Sequence, residues 1–467
     1  MKASSWRADP RGRALAVCLV AAFMTGLDVS IVNVALPSIR EGLHAMEDGL
    51  QWTLSGYALT FGLLLVPAGR LGDARSRRTL FMWGVVLFTL ASVACGLAWN
   101  MNVLIVSRLL QGMAAGLLNP QVSGLIQQMF RGHERGRAFG ALGATIGVST
   151  AAGPLIGGAL VTGFGPELGW RWVFLVNLPI GLALLPMARR VLPTPDPAQL
   201  SGRRESMDPV GVLLLGLGVG CLLLPFIQQH QWHGQVKWLL VPAALIILAG
   251  FVLWERAYRR EPLINLALFR KRSYSLGSAI ALFYFAGFTG IFFTFTLYLQ
   301  SGLDYSPLMA GLSITPFALG SASASVVGGR LVGRAGRRLV AAGLTTVIVG
   351  LCATMAATVL VPGHNVGLAT ALPLLIAGVG SGLVISPNQA ITLSEVPPKG
   401  GGSAAGVLQT GQRLGSSIGI AAAGSIFFSA LPQGWPTAFR HGLLVVLTCV
   451  SIALLAAGYD LLRTYRR

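Results

Sequence analysis

Long apolar windows fill this sequence, and they restrict the possible folds more than any other feature. Fourteen windows of about 20 residues are apolar enough to cross a bilayer, and hydrophobic residues make up 54% of the chain against 11% charged residues. In hydrocarbon every backbone N–H and C=O must be bonded within the protein, so such windows fold as helices. The sequence therefore predicts an all-α polytopic membrane protein rather than a soluble one. The windows begin near Arg13, Gln51, Leu80, Val103, Ala138, Trp172, Pro209, Lys237, Tyr274, Pro307, Leu339, Leu368, Ala404 and His441.

Positive charge is distributed unevenly between the two sides of these windows. Of the 35 Lys and Arg residues, 29 fall on the termini and on alternate loops, four fall on the other loops, and Arg108 and Arg413 lie inside windows. Cytoplasmic loops are enriched in Lys and Arg, so we expect a plasma membrane protein, in a bacterial inner membrane, with both termini cytoplasmic. The net charge of +19 then favours anionic lipids of the inner leaflet as partners, and not nucleic acid. Residues 1–13 run into the first window without a cleavage site, so we expect them to be retained.

A short segment occurs twice in the chain. Residues 69–78 (GRLGDARSRR) follow the second window and residues 329–338 (GRLVGRAGRR) follow the tenth, with five identities at an offset of 260. Two similar halves with a site near their interface are a common design of secondary transporters. We expect an N-terminal six-helix bundle over 1–192 and a C-terminal six-helix bundle over 273–467. The linker, 193–272, is predicted to hold the two remaining windows and an amphipathic surface helix over 255–272.

Two charged residues lie deep inside predicted spans. Asp28 is the one acidic residue in such a position, where a carboxylate costs roughly 2.5 to 3.5 kcal/mol on insertion scales. That cost favours a role in proton coupling or substrate contact, although Asp28 can also be a structural partner of Asn33 or Arg108. Arg108 stays protonated in proteins, so it cannot carry the proton itself. It can influence a neighbouring carboxylate, or it can be an interhelical or snorkelling structural residue.

The first copy of the repeated segment carries an acidic residue among bases. Small residues such as Gly69 allow helix ends to approach closely, and Asp73 can bind the N-terminal end of a neighbouring helix. Arg77 and Arg78 can reach other helix ends or Glu134. We therefore predict a conformational latch formed by Gly69, Asp73, Arg77 and Arg78. A loop that only sets topology explains the arginines but not Asp73, and the second copy has Gly333 in its place.

Small residues follow one face of the fifth window. Ser149, Gly153 and Gly157 are spaced four residues apart, and Pro154 removes a backbone donor. Such spacing allows close helix contact, and proline supplies a bend. Packing without mechanistic meaning is the alternative.

Five segments carry a specific resemblance to a known family. They are residues 27–37 (LDVSIVNVALP), 69–78, 108–116 (RLLQGMAAG), 147–158 and 169–181 (GWRWVFLVNLPIG). Together they resemble the fourteen-span drug:proton antiporter family of the major facilitator superfamily, along essentially the whole chain. The resemblance implies two six-helix bundles plus two extra central helices, alternating access and proton-driven export. It also implies an antiporter motif, Gly153, Pro154, Gly157 and Gly158, that seals the bundles together. The family's usual central glycine is Ser76 here, so we expect a less tight turn than at Gly336.

Polar residues in the spans suggest a binding cavity with little charge, because buried amides in membranes usually face a bundle interior. Bonding between helices is the alternative for several of them. The candidate substrate-binding residues are Asn33, Gln111, Asn119, Gln121, Asn177, Asn388, Gln389, Gln409 and Arg413.

Catalytic and metal chemistry are poorly supported by the sequence. No phosphate-binding loop occurs, and residues 415–419 (GSSIG) mimic a nucleophile elbow without a preceding strand. All five Cys lie in apolar windows, so we expect no disulfide, no metal and no cofactor. His230 and His233 are better explained as part of a polar loop.

We predict a monomeric exporter, not an enzyme, that exchanges protons for a lipophilic small molecule, cations included. The alternatives are transport of one metabolite, such as an antibiotic, peptide or siderophore, and a membrane enzyme or sensor on the same fold.

Overall fold

The structure, a computed structural model, describes residues 9–194, 208–227, 234, 236–258, 262–361 and 363–465. These residues form helices joined by short loops, without a strand among them, as the apolar windows predict. The helices are α1 (Pro10–Gly42), α2 (Glu47–Ala74), α3 (Arg77–Gly96), α4 (Met101–Met129), α5 (Gly132–Gly165), α6 (Glu167–Val191), α7 (Pro209–Ile227), α8 (Leu240–Ala257), α9 (Arg272–Leu297), α10 (Pro307–Ala335), α11 (Arg337–Leu360), α12 (Ala371–Thr392), α13 (Gly401–Ala430) and α14 (Trp435–Tyr465).

Each predicted window corresponds to one of these helices. Among the described residues, 13 helices are long and apolar enough to cross a membrane, and the apolar part of α7 is shorter. The all-α membrane fold predicted from the sequence is therefore confirmed. His230 and His233, the weak metal candidates, lie outside the described residues.

Polar side chains begin several of the helices where the loops enter the apolar layer. Asp9 accepts from the backbone of Arg11 at 2.9 Å, and Asn100 accepts from that of Val103 at 2.9 Å. Ser76 caps α3 in the same way, accepting from the Thr79 backbone at 3.2 Å. Such caps satisfy N–H groups that have no partner within the helix, so the loops can be short.

The two copies of the repeated segment turn differently. Ser76 has an extended backbone with φ −163°, whereas Gly336, at the equivalent position, has φ 50°. Positive φ favours glycine, so only the second copy requires it. This difference explains why serine stands in the first copy.

Helices α1–α6 and α9–α14 pack as two groups that meet along two seams. One seam joins α5 to α10 and the other joins α2 to α13. The face at which α1 begins and α14 ends carries the arginine-rich connections α2–α3, α4–α5 and α10–α11. We call it the basic face. The division at residues 192 and 272 stays a prediction.

The extra helices α7 and α8 pair with each other, and α7 packs against α2 and α13. The described residues between α8 and α9 do not form the predicted amphipathic surface helix. Its described part contains one 3₁₀ turn, Leu266–Arg270, and residues 259–261 lie outside the described part. Leu263 and Ile264 are buried, and the Glu255 carboxylate accepts from both of their backbone N–H groups. These residues pack against protein instead of lying in lipid, so a regular helical face is not needed.

Candidate functional site

Asp28 lies fully buried in the middle of α1, where it is paired with a cation. Arg108 of α4 donates to Asp28 Oδ2 at 2.7 Å. The Arg108 side chain is 1% exposed and the Asp28 side chain is 0% exposed. Gln111, one turn along α4, donates to Asp28 Oδ1 at 2.8 Å, and Asn177 of α6 donates to the same oxygen at 3.2 Å. Both carboxylate oxygens are therefore bonded, as the burial of a charge requires.

Ser92 of α3 extends this buried cluster to a fourth helix. Its hydroxyl accepts from Gln111 at 3.1 Å and from Asn177 at 3.0 Å. It donates to the Phe174 carbonyl at 2.8 Å. Gln111 and Asn177, which the sequence analysis placed in a substrate cavity, thus hold Asp28 inside the first bundle.

Arg108 also makes contacts with α2. Its Nε donates to the Thr53 carbonyl at 3.0 Å, and its guanidinium lies 4.2 Å from the centroid of the Tyr57 ring. The hydroxyl of Tyr57 and Oδ1 of Asn177 are buried without a hydrogen-bond partner among the described residues. A proton bound to Asp28 would remove the negative charge that Arg108 pairs with. The Tyr57 hydroxyl and Asn177 Oδ1 would then be free to form new hydrogen bonds within the cluster.

Asp73 joins the two bundles at the basic face. Its carboxylate accepts from the backbone N–H of Gly402 at 2.9 Å and of Ser403 at 2.8 Å, and from the Ser403 hydroxyl at 2.8 Å. These groups form the N-terminal turn of α13, where a negative charge is favourable. Gly69 packs so closely on Gly402 that a Cβ at position 69 would overlap its carbonyl.

Arg77 supports Asp73 from within the first bundle. Its Nη2 lies 2.6 Å from Asp73 Oδ1, and its Nη1 donates to the Gly124 carbonyl at 3.0 Å. It also donates to the Pro398 carbonyl across the seam. Arg78 points elsewhere, to the carbonyl of Arg189 at the end of α6. Three of the four predicted latch residues therefore meet at the junction with α13.

The second copy of the repeat uses its arginine within one bundle. Arg337 Nε lies 2.8 Å from Asp460 of α14, and Arg272 Nε lies 2.7 Å from the other oxygen of Asp460. Arg337 also donates to Asn388, which in turn donates to the Gly277 carbonyl at 2.9 Å. Asn388 therefore belongs to this ion-pair network, and its predicted contact with substrate stays a prediction.

The small residues Ser149, Gly153 and Gly157 of α5 face α1. The predicted sealing role requires them to face the second bundle instead. Added Cβ atoms at Gly153 and Gly157 would meet Ser30 and Ile31 of α1, within the same bundle. Pro154 and Gly158 do face α10 across the seam, where they lie against Gly311 and Leu308. Helical periodicity explains the split, because neighbouring residues point about 100° apart.

Other glycines of α5 also lie along the α5–α10 seam. The α5 glycines facing α10 and its neighbour α12 are Gly136, Gly140, Gly143 and Gly147. Gly140 lies where a Cβ would be 2.8 Å from the Ser325 carbonyl and 2.9 Å from the Gly329 Cα. Gly136, Gly140 and Gly143 were not predicted from the sequence, although the four-residue spacing of Gly136 and Gly140 and the repeated Gly329 were visible signals.

The remaining candidate polar residues are dispersed. Asn33 is exposed and donates to the Val29 carbonyl of its own helix at 3.3 Å. Asn119 likewise donates to Ala115 within α4. Gln121 bonds the Ala68 carbonyl of α2 at 2.8 Å.

Ser123 is a polar contact between the bundles. Gln389 of α12 and Gln409 of α13 both donate to its hydroxyl, at 3.3 and 3.1 Å. Arg413 of α13 lies over the Phe61 ring of α2, with 4.2 Å between the guanidinium carbon and the ring centroid. These three candidates therefore contact the other bundle across the α2–α13 side of the molecule.

Comparison with known proteins identifies the family. The profile of the Major Facilitator Superfamily matches residues 18–420. The chain belongs to this superfamily. A relative from Streptomyces coelicolor, named probable actinorhodin transporter, is 37% identical over 431 residues, covering 90% of this chain and 73% of the relative. The tetracenomycin C resistance and export protein of Streptomyces glaucescens is 33% identical over 440 residues, covering 93% of this chain and 79% of that protein.

Solved structures of this superfamily share the fold. The proton:xylose symporter XylE, bound to 6-bromo-6-deoxy-D-glucose, superposes with a TM-score of 0.68 over 98% of this chain and 96% of that chain. The sequence identity is 18%, so the likeness concerns architecture alone. This protein is thus a multi-pass membrane protein of a transporter superfamily.

Proposed function

We propose that this protein is a proton-coupled antiporter that exports lipophilic small molecules, with both termini in the cytoplasm of a bacterial cell. The observation that carries the proposal is the Asp28–Arg108 pair, buried at the middle of a membrane helix. Intramembrane carboxylates are costly and mark proton or substrate pathways. The names of the relatives, an antibiotic transporter and an antibiotic export protein, support export of toxic compounds.

The proton would act by switching the partner of Arg108. When Asp28 is charged, Arg108 binds it and the cluster holds α1, α4 and α6 together. When Asp28 is protonated, Arg108 keeps its charge and loses its ionic partner, so this packing is weakened. If the two access states favour different partners, a proton entering from one side can be exchanged for a substrate leaving from the other.

The contacts at the basic face would act as the gate. Gly69, Asp73 and Arg77 hold α2 to the start of α13, and Gly136 and Gly140 of α5 pack against Gly329 near the end of α10. Opening toward the cytoplasm requires these contacts to break. The transport cycle needs no chemical step by this chain, and a monomer surrounded by anionic inner-leaflet lipids suffices for it.

The test is substrate export and proton movement in vesicles that contain Asp28→Asn. We expect loss of pH-gradient-driven export and of substrate-induced proton release, with the protein still inserted, because asparagine cannot exchange a proton. Asp9→Asn, at the exposed start of the same helix, is the control and should transport normally, since asparagine also caps helices. Full activity of Asp28→Asn would make Asp28 a structural residue.

Export of one specific metabolite is a second candidate. The two relatives cited above are each named for a single antibiotic, which favours a narrow substrate range. A toxicity panel on expressing cells, with and without an uncoupler, separates the two: protection against many unrelated compounds indicates multidrug export, and protection against one indicates a dedicated exporter.

A further inference from the structure

Arg413 is a cation inside a membrane helix, and it has no acidic partner among the residues that the structure describes. It is the thirteenth residue of α13 (Gly401–Ala430), so it lies about 18 Å from the start of that helix at 1.5 Å per residue. No hydrogen bond or ion pair joins it to any part of the chain that the structure describes. Asp28 does not serve as its partner, because Asp28 is already paired with Arg108.

The surroundings of Arg413 are aromatic and lie between the bundles. Its guanidinium stacks on Phe61 of α2 at 4.2 Å, and Phe61 contacts Tyr57, with 5.8 Å between ring centroids. Arg413 itself is only partly buried. A ring face attracts a cation, but it supplies no negative charge, whereas charged residues within membranes usually pair with one another or with backbone carbonyls.

The helix α9, which contacts α13 beyond Arg413, carries further aromatic rings that point toward α10. Thr289 of α9 donates to the Ser416 carbonyl at 3.2 Å, one turn beyond Arg413. On α9, Phe288 and Phe292 lie 5.0 Å apart between centroids, and both pack against Phe317 of α10. The two Phe side chains are partly buried, and flat rings of this kind stack on planar ligands.

We propose that Arg413 binds an acidic group on the transported molecule, so that the preferred substrates are lipophilic aromatic acids. This inference rests on the proposed transport function and names its substrate class. A carboxylate or acidic phenol supplies the charge-assisted partner that Arg413 does not find among the described residues. The partly buried rings of Phe288 and Phe292 on α9 receive the apolar part of the molecule, because Tyr57 and Phe61 of α2 are themselves buried. Substrate therefore binds at Arg413, whereas the proton binds at Asp28.

The test compares two probes that differ in one charge: 1-pyrenebutyric acid and its methyl ester. Their binding to the purified full-length protein is measured by fluorescence anisotropy. Wild-type protein should bind the acid at least roughly tenfold more tightly than the ester, the effect of a hydrogen bond between charged groups. Arg413→Gln should remove this preference and leave ester binding unchanged, which also shows that the variant is folded. Arg413→Lys should keep most of the preference.

Arg440→Gln is the matched control, because it removes one positive charge near the start of α14, where Arg440 bonds Pro436 and Thr437 of its own helix. It should keep the full preference for the acid. Equal binding of acid and ester by wild-type protein, binding of neither probe, or an acid preference that survives in Arg413→Gln would each overturn the proposal. Proton-coupled export of neutral compounds that depends on Asp28 would still stand, so this failure differs from failure of the proposed function.

Discussion

The buried carboxylates Asp28 and Asp73 differ in which bundle supplies their hydrogen-bond partners. Asp28 is bonded by residues of α4 and α6, all within the first bundle. Asp73 is bonded by the first turn of α13, in the other bundle. A proton bound at Asp28, as proposed, would therefore act on packing inside one bundle, whereas a change at Asp73 would act on the contact between bundles.

Asp73→Asn should weaken closure at the basic face. The substitution removes the charge that binds the α13 N-terminus, an interaction of about 0.3 to 2 kcal/mol, or roughly 2- to 30-fold in a two-state equilibrium. Spin labels on Arg75→Cys and Lys399→Cys should report a larger distance between α2 and α13, and export should slow. Glu134→Gln removes a carboxylate from an exposed pair with Arg11 on the same face and should change neither. Unchanged distance and export in Asp73→Asn would reduce this contact to a helix cap.

At the scale of helices, glycine sets how closely the bundles approach. The α5 helix presents Gly140 to α10 and Gly153 to α1, so one helix packs closely on both sides. In lipid, helix association depends on such close packing, because there is little hydrophobic gain between helices. The α5–α10 seam is therefore sensitive to single methyl groups.

Gly140→Ala should impair export by forcing α5 and α10 apart. Its Cβ would lie 2.8 Å from the Ser325 carbonyl, and overpacking of this kind costs about 1 to 3 kcal/mol. Gly163→Ala is the control in the same helix, because nothing lies within 4 Å of that added Cβ. Both substitutions replace glycine with alanine and so bring the same gain in helix propensity. A difference in transport rate between the two variants in vesicles therefore reports the effect of packing at the α5–α10 seam. Equal rates for the two variants would argue against tight packing at Gly140.

At the scale of the whole molecule, two helix groups carry a similar segment but use it differently. The first copy reaches α13 through Asp73, whereas Arg337 of the second copy pairs with Asp460 inside its own group. The basic face is thus held across the α2–α13 seam by charge and across the α5–α10 seam by small-residue packing. Opening that face must break two unlike contacts.

The orientation of the molecule is testable by labelling in intact cells. With the five native Cys replaced, Asn365→Cys should react with an impermeant maleimide, because it lies on the side opposite the basic face. Lys399→Cys should react only after permeabilisation, since the positive-inside rule predicts that the basic face is cytoplasmic. Labelling of Lys399→Cys in intact cells would reverse the proposed topology.

The sequence alone determined the helices, because apolar length and backbone bonding leave a membrane chain no other regular structure. It also indicated Asp28 and Asp73 as candidate functional residues, since a carboxylate in an apolar window and an acid in a basic loop are visible without coordinates. The tertiary structure decided their partners. Gln111 and Asn177 hold Asp28, Asn388 joins an ion-pair network, and Gly153 faces α1, because side-chain direction depends on how each helix is rotated in the bundle. Apolar periodicity is weak in a helix that meets lipid on one side and protein on the other, so only packing could fix that rotation.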